Sequence, residues 1–205
     1  SARRGNPLER APPRTHAELV LAMISGNRIS HPSVMYRASA VRRAGGYDPD
    51  WFPIEDYDLW FRLLAQGRYV GLDDVLLTCE SRPSSISGQR HDDQVELQVE
   101  RSAQQITTTI GNEALRDSAA VVARGGSRSL RSDLAALGVL DHYVNEVRRD
   151  LVHRGIELDG FGRQQRMQRL RVLSQRPRIV RQSVARLLRV APGRGSSSTR
   201  RVHDG

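Results

Sequence analysis

The chain has 205 residues, a length typical of one domain or of one domain with an appendage. All 32 basic residues are arginines, and they outnumber the 23 acidic residues to give a formal net charge of +9. The sequence has no run of about 20 apolar residues, which excludes a transmembrane span, and its single cysteine, Cys79, excludes an internal disulfide. Residues 1–7 lack the apolar stretch of a secretory signal, so we expect a cytoplasmic protein.

Apolar periodicity, interrupted by glycine and proline, divides the chain into predicted elements. Thr15 and Glu18 form a capping-box pattern before the first helix, and Gly45 and Gly46 are a strong stop signal after the second. The predicted helices cover 16–25, 38–44, 55–66, 91–109, 112–124 and 130–154. The predicted strands cover 29–36, 68–72 and 75–79.

The charge is concentrated near the end of the sequence. Residues 161–205 carry 12 arginines and one acidic residue, so they supply more than the whole positive excess. This distribution predicts five regions, which are a flexible arm, a core, a helical appendage, basic amphipathic helices and a disordered tail. Their bounds are 1–14, 15–90, 91–160, 161–191 and 192–205.

An acidic cluster is the strongest candidate for chemistry. Glu55, Asp56 and Asp58 lie within four residues at the start of a predicted helix. The free N–H groups and the dipole of a helix N-terminus stabilise ionised carboxylates there, and a carboxylate fixed in that place is a reasonable general base. The alternative is structural, because acidic residues also cap helices without taking part in a reaction.

Four motifs occur in an order that resembles the C-terminal half of the catalytic domain of family 2 glycosyltransferases, which have the GT-A fold. The residues that carry this resemblance are 26–37, 45–48, 55–63 and 75–87. The similarity covers about residues 15–90. It implies an α/β fold that is predominantly α, in which half of a GT-A-like core precedes a helical appendage and a basic tail.

The resemblance implies the inverting transfer of a sugar from a nucleotide-sugar donor to a hydroxyl acceptor, in cell-envelope polysaccharide or glycolipid synthesis. Asp56 then occupies the position of the catalytic base, and Glu55 helps to position it or the acceptor. Gly45 and Gly46 match the turn beside the donor sugar, where a missing Cβ permits close approach. Asp58 lies in the same motif, with fixing of the helix as its alternative role.

Two departures from the family pattern matter. The donor-binding half with its Asp-x-Asp metal motif is not among these residues, so we assign no cofactor to this chain. A divalent cation, Mg²⁺ or Mn²⁺, would belong to the complete enzyme, and an upstream donor-binding half is an expected partner. Arg82 stands where the family often has a metal-ligating histidine; it either pairs with the donor diphosphate or is a surface arginine.

Two further features leave alternatives open. His31 either contacts the acceptor or a phosphate, or is a hydrogen-bonded histidine at the rim of the fold. The basic helices at 163–190 predict attachment to an anionic membrane surface on its inner face, which suits a lipid-linked acceptor; nucleic acid and a partner protein are the alternatives. An arginine-rich, non-catalytic adaptor that keeps the core as a scaffold is therefore the alternative function.

Overall fold

The computed structural model describes residues 13–74 and 90–174. The predictions for the arm up to residue 12, the strand at 75–79, Arg82, the second basic helix and the tail lie outside these residues. The α-helices of the described ranges are α1 (His16–Met23), α2 (Ala38–Arg43), α3 (Glu55–Gln66), α4 (His91–Ile110), α5 (Arg116–Arg124), α6 (Leu130–His153) and α7 (Phe161–Val172). Short 3₁₀ turns form at His31–Ser33, Pro49–Trp51 and Glu113–Leu115.

The predicted helices are confirmed wherever local signals define them. Thr15 caps α1 by accepting a hydrogen bond from the Glu18 amide at 3.1 Å, and the Ser129 hydroxyl caps α6 in the same way. The helix predicted at 112–124 is divided, because the Asn112 side chain accepts from the Ala114 amide and holds the first residues in a 3₁₀ turn. The α-helix begins only at Arg116.

The strands predicted at 29–36 and 68–72 are wrong. Residues His31–Ser33 form a 3₁₀ turn with a proline in its first positions, and proline has no N–H to donate to a ladder. Within 68–72 the pairing is a single isolated bridge between Thr15 and Val70. The described residues contain no longer strand, because a strand needs a neighbouring strand and these segments have none beside them there. Their architecture is predominantly α, without the sheet of the expected core.

The helices pack across the predicted region boundaries at 90/91 and 160/161. α3 contacts α4; α4, α5 and α6 all contact one another; and α7 packs against α1, α5 and α6. One core cluster surrounds α1 and α3; its buried members are Leu19, Met23, Ile54, Tyr57, Leu59, Trp60 and Phe61. This cluster fixes the start of α3, where the acidic residues lie.

The first basic helix, α7, is held by its buried side. Phe161 and Val172 are each 1% exposed, and the buried Gln168 donates to the Leu21 carbonyl of α1 at 2.9 Å. Leu170, an apolar residue of the same helix, is 47% exposed. None of the helices at 13–74 and 90–174 is long and apolar enough to cross a bilayer.

Candidate functional site

Asp56 is the second residue of α3, and both of its carboxylate oxygens are held. One oxygen accepts a hydrogen bond from the Tyr57 amide at 2.7 Å, and the other accepts from the Asn27 side-chain amide at 3.0 Å. The Asn27 carbonyl oxygen in turn accepts from the Ile29 amide at 3.1 Å, so the loop after α1 fixes the orientation of the Asn27 side chain. Two donors therefore fix the carboxylate in one position.

The Asp56 carboxylate lines a cleft of about 380 Å³ between the loop after α1, the start of α3 and one side of α4. Gln98 of α4 accepts from the Asn27 amide at 3.3 Å, and Gln94 donates to the Pro53 carbonyl at 3.0 Å. These two glutamines join α4 to the two segments that present Asp56. The lining residues are Asn27, Arg28, Ile29, Ser30, Pro53, Ile54, Asp56, Gln94 and Gln98.

The surroundings favour the protonated form of Asp56 more than water does. Burial raises the pKa of Asp56 and outweighs the hydrogen bonds from Tyr57 and Asn27, which lower it; the negative charge of Glu55 adds to the rise. One carboxylate oxygen of Glu55 is itself buried without a hydrogen-bond partner in the described structure. A carboxylate of raised pKa is a better proton acceptor, as a general base requires.

A hydrogen-bonded aromatic group lies beside the acidic residues. The His31 ring nitrogen Nε2 is 2.8 Å from the Tyr47 hydroxyl, and the Tyr36 and Tyr47 hydroxyls are 3.3 Å apart. Burial raises the pKa of Tyr47 to about 12, with contributions from Tyr36 and from the charges of Asp56 and Glu55. Tyr47 therefore keeps its proton at neutral pH, and His31 has a hydrogen-bond partner within the protein.

Asp58 does not face the cleft. It is 3% exposed, and its two oxygens accept hydrogen bonds from Arg101 at 2.7 Å and from Arg62 at 2.6 and 2.8 Å. It does not line the cleft. Asp58 thus anchors α3 to α4, and its carboxylate is saturated by guanidinium groups.

Gly45 and Gly46 end α2. They have φ values of +86° and +71°, and the Gly46 amide donates to the Val41 carbonyl at 3.0 Å. The Arg62 guanidinium also donates to the Ala44 carbonyl, which ties this turn to α3. A Cβ at Gly46 would meet no atom of the described residues within 4 Å, so one side of the turn is open to a ligand.

The structure adds three site residues that sequence reasoning did not select, namely Asn27, Gln94 and Gln98. Asn27 lies in the segment 26–37 that carries the family resemblance, but the sequence assigns it no role there, and a position 71 residues away in sequence from Asn27 carries no local signal of contact. In the part of the chain that the structure describes, no group of three or more His, Cys, Asp or Glu side chains could hold a metal ion. Asp56 is the sole carboxylate among the described residues that line the cleft.

Comparison of the chain with models of known protein families, with curated proteins and with solved structures gives no match.

Proposed function

We propose that this chain carries the acceptor and base side of an inverting glycosyltransferase, with Asp56 as the general base. The observation that carries the proposal is the Asp56 carboxylate, oriented by Asn27 and the Tyr57 amide in a cleft where burial raises its pKa. The order of motifs at 26–37, 45–48 and 55–63, which resembles that of family 2 glycosyltransferases, supports the choice of reaction.

In the proposed reaction the acceptor hydroxyl binds in the cleft with its proton directed at Asp56. The hydroxyl oxygen attacks the anomeric carbon of the donor sugar while Asp56 takes the proton, and the bond from that carbon to the nucleoside diphosphate breaks. The diphosphate leaves with the bonding electron pair. Because the hydroxyl oxygen attacks from the side opposite the leaving diphosphate, the anomeric configuration is inverted. General-base assistance of this kind contributes about 10²–10⁴-fold to a rate.

Glu55 supports the base in this mechanism. Its negative charge raises the pKa of Asp56, and it precedes Asp56 in the first turn of α3 without lining the cleft, so in the proposal it acts on the base and not on the acceptor. Gly46, which follows Gly45, lies on the open side of the α2 turn, where the proposal puts the donor sugar. Donor binding itself, with any divalent cation, is assigned to a donor-binding half outside this sequence.

The test is a transfer assay on the native gene product, with a panel of radiolabelled nucleotide sugars and an extract of its own cells as acceptor. We expect Asp56→Asn to lower kcat by at least about 100-fold, with the donor KM unchanged. Asp50→Asn is the matched control, because Asp50 is an exposed carboxylate six residues earlier. Full activity in Asp56→Asn would exclude Asp56 as the general base. If the wild-type protein transferred sugar from none of the donors, the result would favour the non-catalytic adaptor function.

A further inference from the structure

A basic and apolar surface lies in the segment that contains α2, between the cleft-lining residues 27–30 and 53–56 in sequence. The hydroxyls of Tyr36 and Tyr47 are 3.3 Å apart, so the two ends of the segment 36–47 lie close together. This segment contains three arginines and no acidic residue. We name this surface the α2 patch. Its residues are Met35, Tyr36, Arg37, Arg42, Arg43 and Tyr47.

The apolar part of the α2 patch is unusually open. The Met35 side chain is 99% exposed, and Tyr36 and Tyr47 are 44% and 40% exposed. The tyrosine rings are held in place, since Tyr36 packs on the Trp60 ring at 6.2 Å and Tyr47 bonds to His31. A free thioether chain beside two fixed amphipathic rings is suited to the boundary between lipid headgroups and acyl chains.

The charged part of the patch has no counter-charge of its own. Arg37, Arg42 and Arg43 are exposed, and none of the three forms an ion pair in the described residues. The next carboxylate along the chain, Asp48, accepts a hydrogen bond from the Asp50 amide as the cap of the following 3₁₀ turn. The three positive charges are therefore available to external anions.

We propose that the α2 patch is a docking surface for an anionic lipid bilayer, in which Met35 enters the headgroup region and the three arginines contact lipid phosphates. A membrane fits better than a nucleic acid, because the patch exposes an apolar side chain, Met35 at 99%, beside its arginines; a bilayer interface accommodates apolar and amphipathic side chains together with cationic ones, whereas a phosphate strand offers Met35 no apolar environment. The proposal does not depend on the transferase reaction. It would place the Asp56 cleft at the bilayer surface.

The test is co-sedimentation of the full chain with vesicles of phosphatidylcholine, with and without about 30% phosphatidylglycerol. The arginine-rich end of the sequence can also bind such vesicles, so the result is read from matched variants. Each arginine near an anionic surface strengthens binding by about five-fold. We therefore expect Arg37→Gln/Arg42→Gln/Arg43→Gln to lower the partition coefficient on anionic vesicles by about 100-fold.

The control removes the same charge from elsewhere with Arg124→Gln/Arg131→Gln/Arg149→Gln, at three exposed arginines of α5 and α6 that lie outside both the patch and the basic helices at 163–190. This triple variant should lower partitioning by less than about five-fold. Equal losses in the two triple variants would overturn the proposal. An equal loss of binding to a single-stranded oligonucleotide would overturn the lipid assignment and indicate a general polyanion surface.

A second measurement tests insertion directly. In a Cys79→Ser background, an environment-sensitive fluorophore on Met35→Cys should shift to shorter wavelength with anionic vesicles and not with neutral ones. The same label on Val152→Cys, a 60% exposed position at the end of α6, should not shift. No shift at position 35, or equal shifts at both positions, would refute insertion at the α2 patch.

Discussion

Asp58, Arg62 and Arg101 form an ion triad that joins α3 to α4. Asp58→Asn removes the negative charge that faces two guanidinium groups. The side chains of Asp58 and Arg101 are 5% and 9% exposed, and that of Arg62 is 26% exposed. The variant leaves at least one buried positive charge without its partner, which costs about 3–5 kcal/mol of unfolding free energy. For a chain of this size the melting temperature falls by about 10 °C.

Most of this loss of stability should come from the unpaired charge of Arg101, because it is the more deeply buried of the two arginines. Arg101 also packs its guanidinium over the Phe61 ring at 4.8 Å. In the double variant Asp58→Asn/Arg101→Gln the unpaired buried charge is gone, so its destabilisation should be smaller than the sum of the two single effects by at least about 1 kcal/mol.

The assay is urea unfolding followed by far-ultraviolet circular dichroism, with linear extrapolation to zero denaturant. The matched control is Asp50→Asn, an exposed carboxylate whose loss should change stability by less than about 0.5 kcal/mol. A loss below about 1 kcal/mol in Asp58→Asn, at an unchanged denaturant slope, would refute the assignment of Asp58 as the anchor of α3.

Three further predictions concern a buried histidine, the candidate base and a helix end. Burial, with the charge of Arg154 second, lowers the pKa of His16 from 6.5 to about 4, so between those two pH values the proton binds mainly to the unfolded chain. Lowering the pH from 7 to 5 should then cost the wild type about 2 kcal/mol of unfolding free energy more than His16→Asn, in urea titrations at each pH; an equal pH dependence would contradict it. Asn27→Ala removes a donor to Asp56 and should raise the pKa of Asp56 further, by NMR of the carboxyl carbon; an unchanged pKa would count against the Asn27 contact. Gly125 has a φ of +85°, and a Cβ there would lie 2.9 Å from the Arg171 side chain. Gly125→Ala should therefore cost about 1–2 kcal/mol in thermal unfolding, whereas Gly138→Ala in the middle of α6, where a Cβ meets nothing, should stabilise the chain by about 0.5–1 kcal/mol; similar effects of the two would refute the strain.

The helices were predictable because their signals are local. The start of α1 follows from the hydroxyl of Thr15 and the amide three residues later, and the left-handed glycines after α2 and α5 mark their ends. These interactions span one turn, so a short stretch of sequence contains both partners. The strands at 29–36 and 68–72 failed for the opposite reason, since pairing depends on a second segment that the local sequence does not specify.

The candidate site divides in the same way. Asp56 at the start of α3 was identifiable from an acidic cluster before an apolar helix. Asn27, which orients it, and Gln98, which supports Asn27, come from segments 29 and 71 residues distant from their partners. Asp58 belongs to the same acidic cluster as Asp56. The sequence alone left open whether Asp58 binds substrate or fixes the helix.

The sequence by itself determined the helices, their ends, the distribution of charge and the placement of three carboxylates in one turn of α3, because propensity, capping and periodicity act within a few residues. Only the tertiary structure decided which of those carboxylates faces a cleft and which is buried in an ion triad. Successive helix positions differ by about 100° in direction, and the side of α3 that α4 covers is set by the packing of helices far apart in sequence. Because of that packing, Asp58 forms an ion pair with Arg101 and Asp56 faces the cleft.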